Sequence, residues 1–123
     1  MLKRYLLATA ALISLGAQAQ DYSQCMDKAS STSAMSTCIQ AETQEQDTRL
    51  NTVYKQLMAK LDDDLQKRLR DVQRTWIKYR EGNCGFLGQA SGGSIDRIQG
   101  AMCELDMRRD RAAELERILN PER

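Results

Sequence analysis

Apolar positions recur at helical spacing through most of the chain. Leu50, Val53, Tyr54, Leu57, Met58 and Leu61 fall at i, i+3, i+4, i+7, i+8 and i+11, which is one face of an α-helix. Upstream, Thr37 and Gln40 have capping-box spacing and Ser33 is a second start for this helix. Its first half, Glu42 to Asp47, is too polar for deep burial. Asp62, Asp63 and Asp64 then suit a turn and the first turn of a second helix, where carboxylates meet free N–H groups. That helix carries Leu65, Leu69, Val72, Trp76 and Tyr79 and closes near Cys84. A third follows Gly92-Gly93-Ser94, with Ser94 as cap and Asp96 in the first turn. Ile95, Ile98, Met102, Leu105, Ala112, Leu115 and Leu119 form its stripe, and Pro121 stops it. Nothing alternates with period two, so no strand is expected. The pattern predicts an all-α fold, a small antiparallel bundle of three main helices. The polar, Ser-rich stretch from Gln20 to Ser36 leaves room for a short helix around Cys25.

Residues 1–19 read differently. Lys3 and Arg4 precede an uncharged run from Tyr5 to Leu15, and Ala17-Gln18-Ala19 offers the small residues of a signal-peptidase site. The expected organisation is a cleaved signal peptide over 1–19 and one helical domain over 20–123, released to the periplasm. Residue 20 is Gln rather than Cys, so a lipid-anchored start is not expected. With Lys3 and Arg4 removed from the 18 basic residues, 16 face 17 acidic ones, a formal charge of −1. That balance offers no general attraction to nucleic acid. No apolar run after the leader approaches the roughly 20 residues of a membrane span.

Cys25, Cys38, Cys84 and Cys103 make an even set behind the leader, as expected of two disulfides in an oxidising compartment. Three pairings are open. Cys25–Cys38 and Cys84–Cys103 are favoured because each joins segments separated by a short loop. A metal site would want close pairs such as C-x-x-C, so none is expected, and no residue pattern calls for a cofactor. The chain has no histidine, which removes imidazole bases and Ser–His or Cys–His pairs. No catalytic residue is assigned and no enzyme is expected.

Several residues invite two readings. Trp76 and Tyr54 share register with buried stripes and are expected in the core rather than on a binding surface. Asn51 and Gln73 neighbour those stripes, and a hydrogen-bonded pair between helices is preferred over solvent exposure. Arg108-Arg109-Asp110-Arg111 is interleaved with carboxylates and reads as a solvated face, with Glu104 and Arg108 at salt-bridge spacing. Asp62 to Asp64 lack the alternating spacing of a calcium loop. Ser94 lacks an activating base and is read as a cap, with the glycines allowing a tight turn into the third helix.

The order of features resembles the LprI-type lysozyme-inhibitor family. The residues that carry it are Cys25, Met35-Ser36-Thr37-Cys38, Leu50-Asn51-Thr52-Val53-Tyr54, Gln73-Arg74-Thr75-Trp76 with Tyr79-Arg80, Cys84, Gly92-Gly93-Ser94-Ile95 and Cys103. The resemblance spans about Cys25 to Leu119. It implies a helical, disulfide-bonded exported protein that binds a protein partner, a lysozyme, and inhibits it. A cleft with two catalytic carboxylates is blocked by an inserted loop. The candidate is the segment Gly85 to Gly93, pinned by Cys84 and Cys103, with Phe86, Leu87, Gln89 and Ser91 as contact residues. The ordinary alternative has Phe86 and Leu87 capping the bundle end. The rival functions are an immunity or envelope-stress protein that binds another toxin or cell-wall enzyme, and a structural helical module.

Overall fold

The computed structural model describes residues 16–122, with side chains from residue 21 onward. The cationic start and apolar run of the expected leader lie outside the described residues. The chain forms α1 (Gly16–Lys28), α2 (Thr32–Lys60), α3 (Asp63–Leu87) and α4 (Ile95–Leu119), with no strand among the described residues.

Three of these are the predicted main helices, and α1 is the short helix that the sequence left room for around Cys25. Its polar composition hid a narrow apolar edge. Tyr22 and Met26, one turn apart, pack against the buried Ile39, Ile98 and Leu105. Helix α2 starts earlier than Ser33 or Thr37, because Ser31 is the cap and its hydroxyl accepts from the Ala34 N–H at 3.1 Å. Thr37 instead donates back to the Ser33 carbonyl within the helix. Asp62 caps α3 as expected, accepting from the Leu65 N–H at 2.9 Å, with Asp63 and Asp64 in the first turn.

Helices α2 and α4 share the most extensive contact, α3 packs on α4, and α1 packs on α2. Cross-links fix the directions. Asp47–Arg108 and Arg49–Glu116 join α2 to α4 in parallel. Gln73–Arg111, Arg80–Glu104 and Cys84–Cys103 join α3 to α4 antiparallel. The core divides in two along the axis. Ile39, Ile98 and Leu105 fill the cysteine end, while Leu50, Val53, Leu57, Ala112 and Leu115 fill the other.

The expected stripe of α3 is only half inside. Leu69 and Trp76 pack beside Tyr54 against the second cluster, but Leu65, Val72 and Tyr79 are exposed. The inward side of α3 mixes Leu69, Trp76, Ile77, Cys84 and Leu87 with the polar Gln66, Gln73, Arg80 and Asn83, and α4 supplies partners for the last three. Arg111, buried, donates to Gln73 at 3.1 Å and pairs with Glu114. Glu104 pairs with both Arg80 and Arg108, and Arg108 reaches Asp47 at 3.0 Å, so one chain of charge crosses three helices. Two expectations are corrected here. Gln73 meets Arg111 rather than Asn51, which is exposed and bonds only along its own helix to Asp47. Arg108 and Arg111 face inward, where they meet Asp47 of α2 and Gln73 of α3, whereas Asp110 is exposed and Arg109 partly so, so only part of the stretch is a solvated face.

Candidate functional site

The two disulfides are Cys25–Cys38 and Cys84–Cys103, with Cα separations of 5.8 and 5.4 Å, and no cysteine among the described residues is free. They tie α1 to α2 and α3 to α4 at the same end of the bundle. That end carries the candidate segment. Near the second disulfide, α3 and α4 approach so closely that a Cβ on Gly100 would lie 3.1 Å from the Gly88 Cα. Any side chain at 100 would push on this contact between backbones.

Phe86 and Leu87 are not in a loop, as α3 continues through them to a cap at Gly88. Local geometry explains the extension. The Gly88 N–H donates to the Cys84 carbonyl at 2.9 Å and the Gln89 N–H to the Phe86 carbonyl at 3.0 Å. The connection proper is the short turn from Gly88 to Ser94. Phe86 projects outward and is 67% exposed, so it does not cap the bundle end, whereas Leu87 is half-buried. Gln89 and Ser91 lie on the turn and are exposed.

A single carboxylate organises the turn. Asp96, itself buried, accepts from the Ser91 hydroxyl at 2.5 Å, from the Ser91 N–H at 3.1 Å and from the Gly92 N–H at 2.8 Å. The Ser91 oxygen also accepts from the Gly93 N–H at 3.1 Å. The Ser91 hydroxyl bond and these backbone donors hold the Asp96 carboxyl below its ordinary value, against the opposing effect of burial. Gly92 has φ +74°, a left-handed conformation that suits glycine and lets its N–H turn toward Asp96. Ser94 occupies the cap position of α4 without a capping bond; Asp96 has taken the anchoring role expected of it. The signal for this was an acidic residue just inside a helix that follows Gly-Gly-Ser.

The structure therefore brings Phe86, Leu87, Gln89 and Ser91 together, with different surroundings. Phe86 and Gln89 face solvent, Leu87 faces partly inward, and the Ser91 hydroxyl is engaged within the turn. Beside them is an open groove of about 620 Å³, lined by Thr32 of α2, Gly88, Gln89, Gly92, Gly93, Ser94, Asp96 and Arg97. Thr32 and Arg97 were not anticipated, since nothing local in the sequence ties the start of α2 to this turn. Among the described residues no group of acidic or cysteine side chains converges to hold a metal ion, and no helix is long and apolar enough to cross a membrane.

Compared with known families, the chain matches the lysozyme inhibitor LprI over residues 25–115. It belongs to the LprI family. The match begins at Cys25 and ends at Leu115, so it takes in both disulfides, all of α2 and α3, and the Asp96-anchored turn. The chain is also similar to an uncharacterized protein of Rhizobium meliloti (strain 1021), 29% identical over 106 residues, covering 75% of this chain and 76% of that one. No solved structure matches. Two disulfides are consistent with an LprI-family protein that works outside the cytoplasm.

Proposed function

We propose that this chain is a periplasmic inhibitor of a lysozyme-type glycosidase, and that the α3–α4 end is the surface that meets the enzyme. Under this reading residues 1–19 are the export signal and the chain itself performs no catalysis. The observation that carries the proposal is a large aromatic side chain, Phe86, held in solvent at the edge of a turn that is pinned by Cys84–Cys103 and by Asp96. A pinned turn pays little ordering entropy on binding.

The chemistry around Phe86 suits the target. A lysozyme-type cleft presents two carboxylates. Gln89 brings amide donors, and Arg97, exposed on the groove wall, brings a guanidinium that pairs with carboxylates in two-point geometry. Phe86 would fill an apolar sugar subsite beside them. Ser91 and Asp96 hold the turn in shape.

The test is inhibition of a hen-type lysozyme by the purified chain and by Phe86→Ala, Gln89→Ala and Arg97→Glu. These positions are exposed, so melting temperatures should stay within a few degrees. Loss of a central anchor from a small interface costs about 2 kcal/mol or more, some thirtyfold in affinity. Failure of the wild-type chain to slow any lysozyme at micromolar concentration refutes the inhibitor reading. Inhibition that survives all three changes keeps the target and refutes the site.

A further inference from the structure

Helix α3 has an outer face that the bundle does not use. Leu65, Val72, Tyr79 and Phe86 are spaced seven residues apart and are 45, 53, 63 and 67% exposed. They form one row about 31 Å long at the rise of an α-helix. A row with period seven drifts by about 20° per repeat on a straight helix, so another helix crossing at a small left-handed angle covers it best. Together the four side chains expose on the order of 400 Å² of surface, within the range of the largest apolar patch on an ordinary monomer, which is often functional.

We propose that this face pairs with the same face of a second copy, the two α3 helices running antiparallel about a two-fold axis beside Thr75. Three features favour a second copy. In that register Leu65 lies opposite the partner's Phe86 and Val72 opposite the partner's Tyr79, so each smaller side chain meets a larger one. Asp71, exposed on the flank of the row and joined within its own helix to the equally exposed Arg74 by a long 3.7 Å pair, comes within about 3 Å of helix rise of the partner's Lys78, and the symmetry makes the contact twice. Thr75 and Gly82, on the same flank, are small enough to let the backbones approach.

The flanks argue against a lipid surface. A membrane-seeking helix lines its apolar face with basic residues, whereas here Asp64 is paired with Arg68 and Asp71 with Arg74. Burying this row and its flanks falls short of the roughly 800 Å² per partner of a standard stable interface, so the dimer is reversible. Phe86 is common to this face and to the surface proposed to meet a glycosidase, so the two kinds of binding compete for it. Sedimentation of the chain alone tests the dimer with no glycosidase present, and the two ideas fail separately.

The experiment is sedimentation equilibrium of the disulfide-intact chain, from about 1 to 500 µM. A reversible dimer should appear as a concentration-dependent rise in mass within this range. Val72→Glu and Tyr79→Glu, both at exposed positions, should leave the helical circular dichroism unchanged and weaken the dimer at least about thirtyfold, as for a central contact. Asp71→Lys should weaken it about fivefold, and Asp71→Lys combined with Lys78→Asp should restore it, as a direct pair of charges requires. A chain that stays monomeric throughout overturns the proposal. So does a dimer indifferent to both Glu substitutions, or a charge exchange that restores nothing. A monomer that binds phosphatidylglycerol vesicles through Tyr79 would also overturn it by assigning the face to lipid.

Discussion

The guanidinium of Arg80 lies over the indole of Trp76, 5.1 Å from the ring centroid. The same guanidinium pairs with Glu104 of α4 at 3.2 Å. Trp76 packs against the cluster of Leu50, Val53, Leu57, Ala112 and Leu115, so one side chain of α3 links the apolar core to the ionic chain that crosses the helices. Trp76 is half-buried, and Trp76→Ala should cost about 2–4 kcal/mol in a denaturant titration, below the cost at a fully buried site. Arg80→Ala should cost about 1–3 kcal/mol, because it removes the cation from the ring and leaves Glu104 with one partner fewer. Native indole emission should shift in Arg80→Ala before any helix is lost.

Asp96 gives the turn a dependence on acid. Its carboxyl titrates below the ordinary 3.8 because the charged form is bonded by the Ser91 hydroxyl and by the N–H groups of Ser91 and Gly92. A depressed folded value means that this tether stabilises fully above the ordinary value and is lost as pH falls through the lower, folded one. Protection of the Ser91 and Gly92 amides, taken relative to the free-chain exchange rate at each pH, should therefore fall on acidification while α2 stays protected. Asp96→Asn should show the low protection already at neutral pH and no further acid step.

Gly100 sets the closeness of α3 and α4. In Gly100→Ala the new methyl would meet the Gly88 backbone at 3.1 Å, and Gly88 cannot retreat far with Cys84–Cys103 closed beside it. The expected cost is about 1–3 kcal/mol, as for an overpacked contact, despite the better helix propensity of alanine. A thermal melt decides this, since a stabilised variant would mean the helices separate freely.

The two disulfides should differ in how they yield to a reductant. Cys25 is exposed, whereas Cys84 and Cys103 are both buried. Limited treatment with a small thiol should open Cys25–Cys38 first, read by alkylation and peptide mapping. Loss of that bridge, which closes a separation of 13 residues, should cost about 3 kcal/mol.

How legible each helix was in the sequence depends on what it packs against. The stripes of α2 and α4 face each other, so their apolar residues repeat at helical spacing and could be read directly. Leu50, Val53 and Leu57 are buried together with Ala112 and Leu115. Helix α3 meets α4 through Gln73, Arg80 and Asn83 as well as through Leu69, Trp76 and Cys84, and the polar three look like surface until the partner is placed. Its most visible repeat, Leu65, Val72 and Tyr79, is on the outside. For the same reason Arg108 and Arg111 passed for a solvated face, because their partners lie far away in sequence. The candidate site was legible as a stretch of chain, through Cys84, the glycines and Cys103. The roles within it were not. Distinguishing Ser94 from Asp96 as the anchor depends on the fold of a turn whose bonds span only a few residues.

The placement of both bridges at one end gives the molecule a mechanical polarity. At the opposite end, Leu61, the Asp62 cap of α3 and Leu119 are held only by side-chain packing and end caps. Thermal fraying and protease nicking should start there and travel toward the bridges. The α3–α4 turn would be the last part to loosen, so a partly opened chain would keep the Asp96-anchored turn in its folded shape.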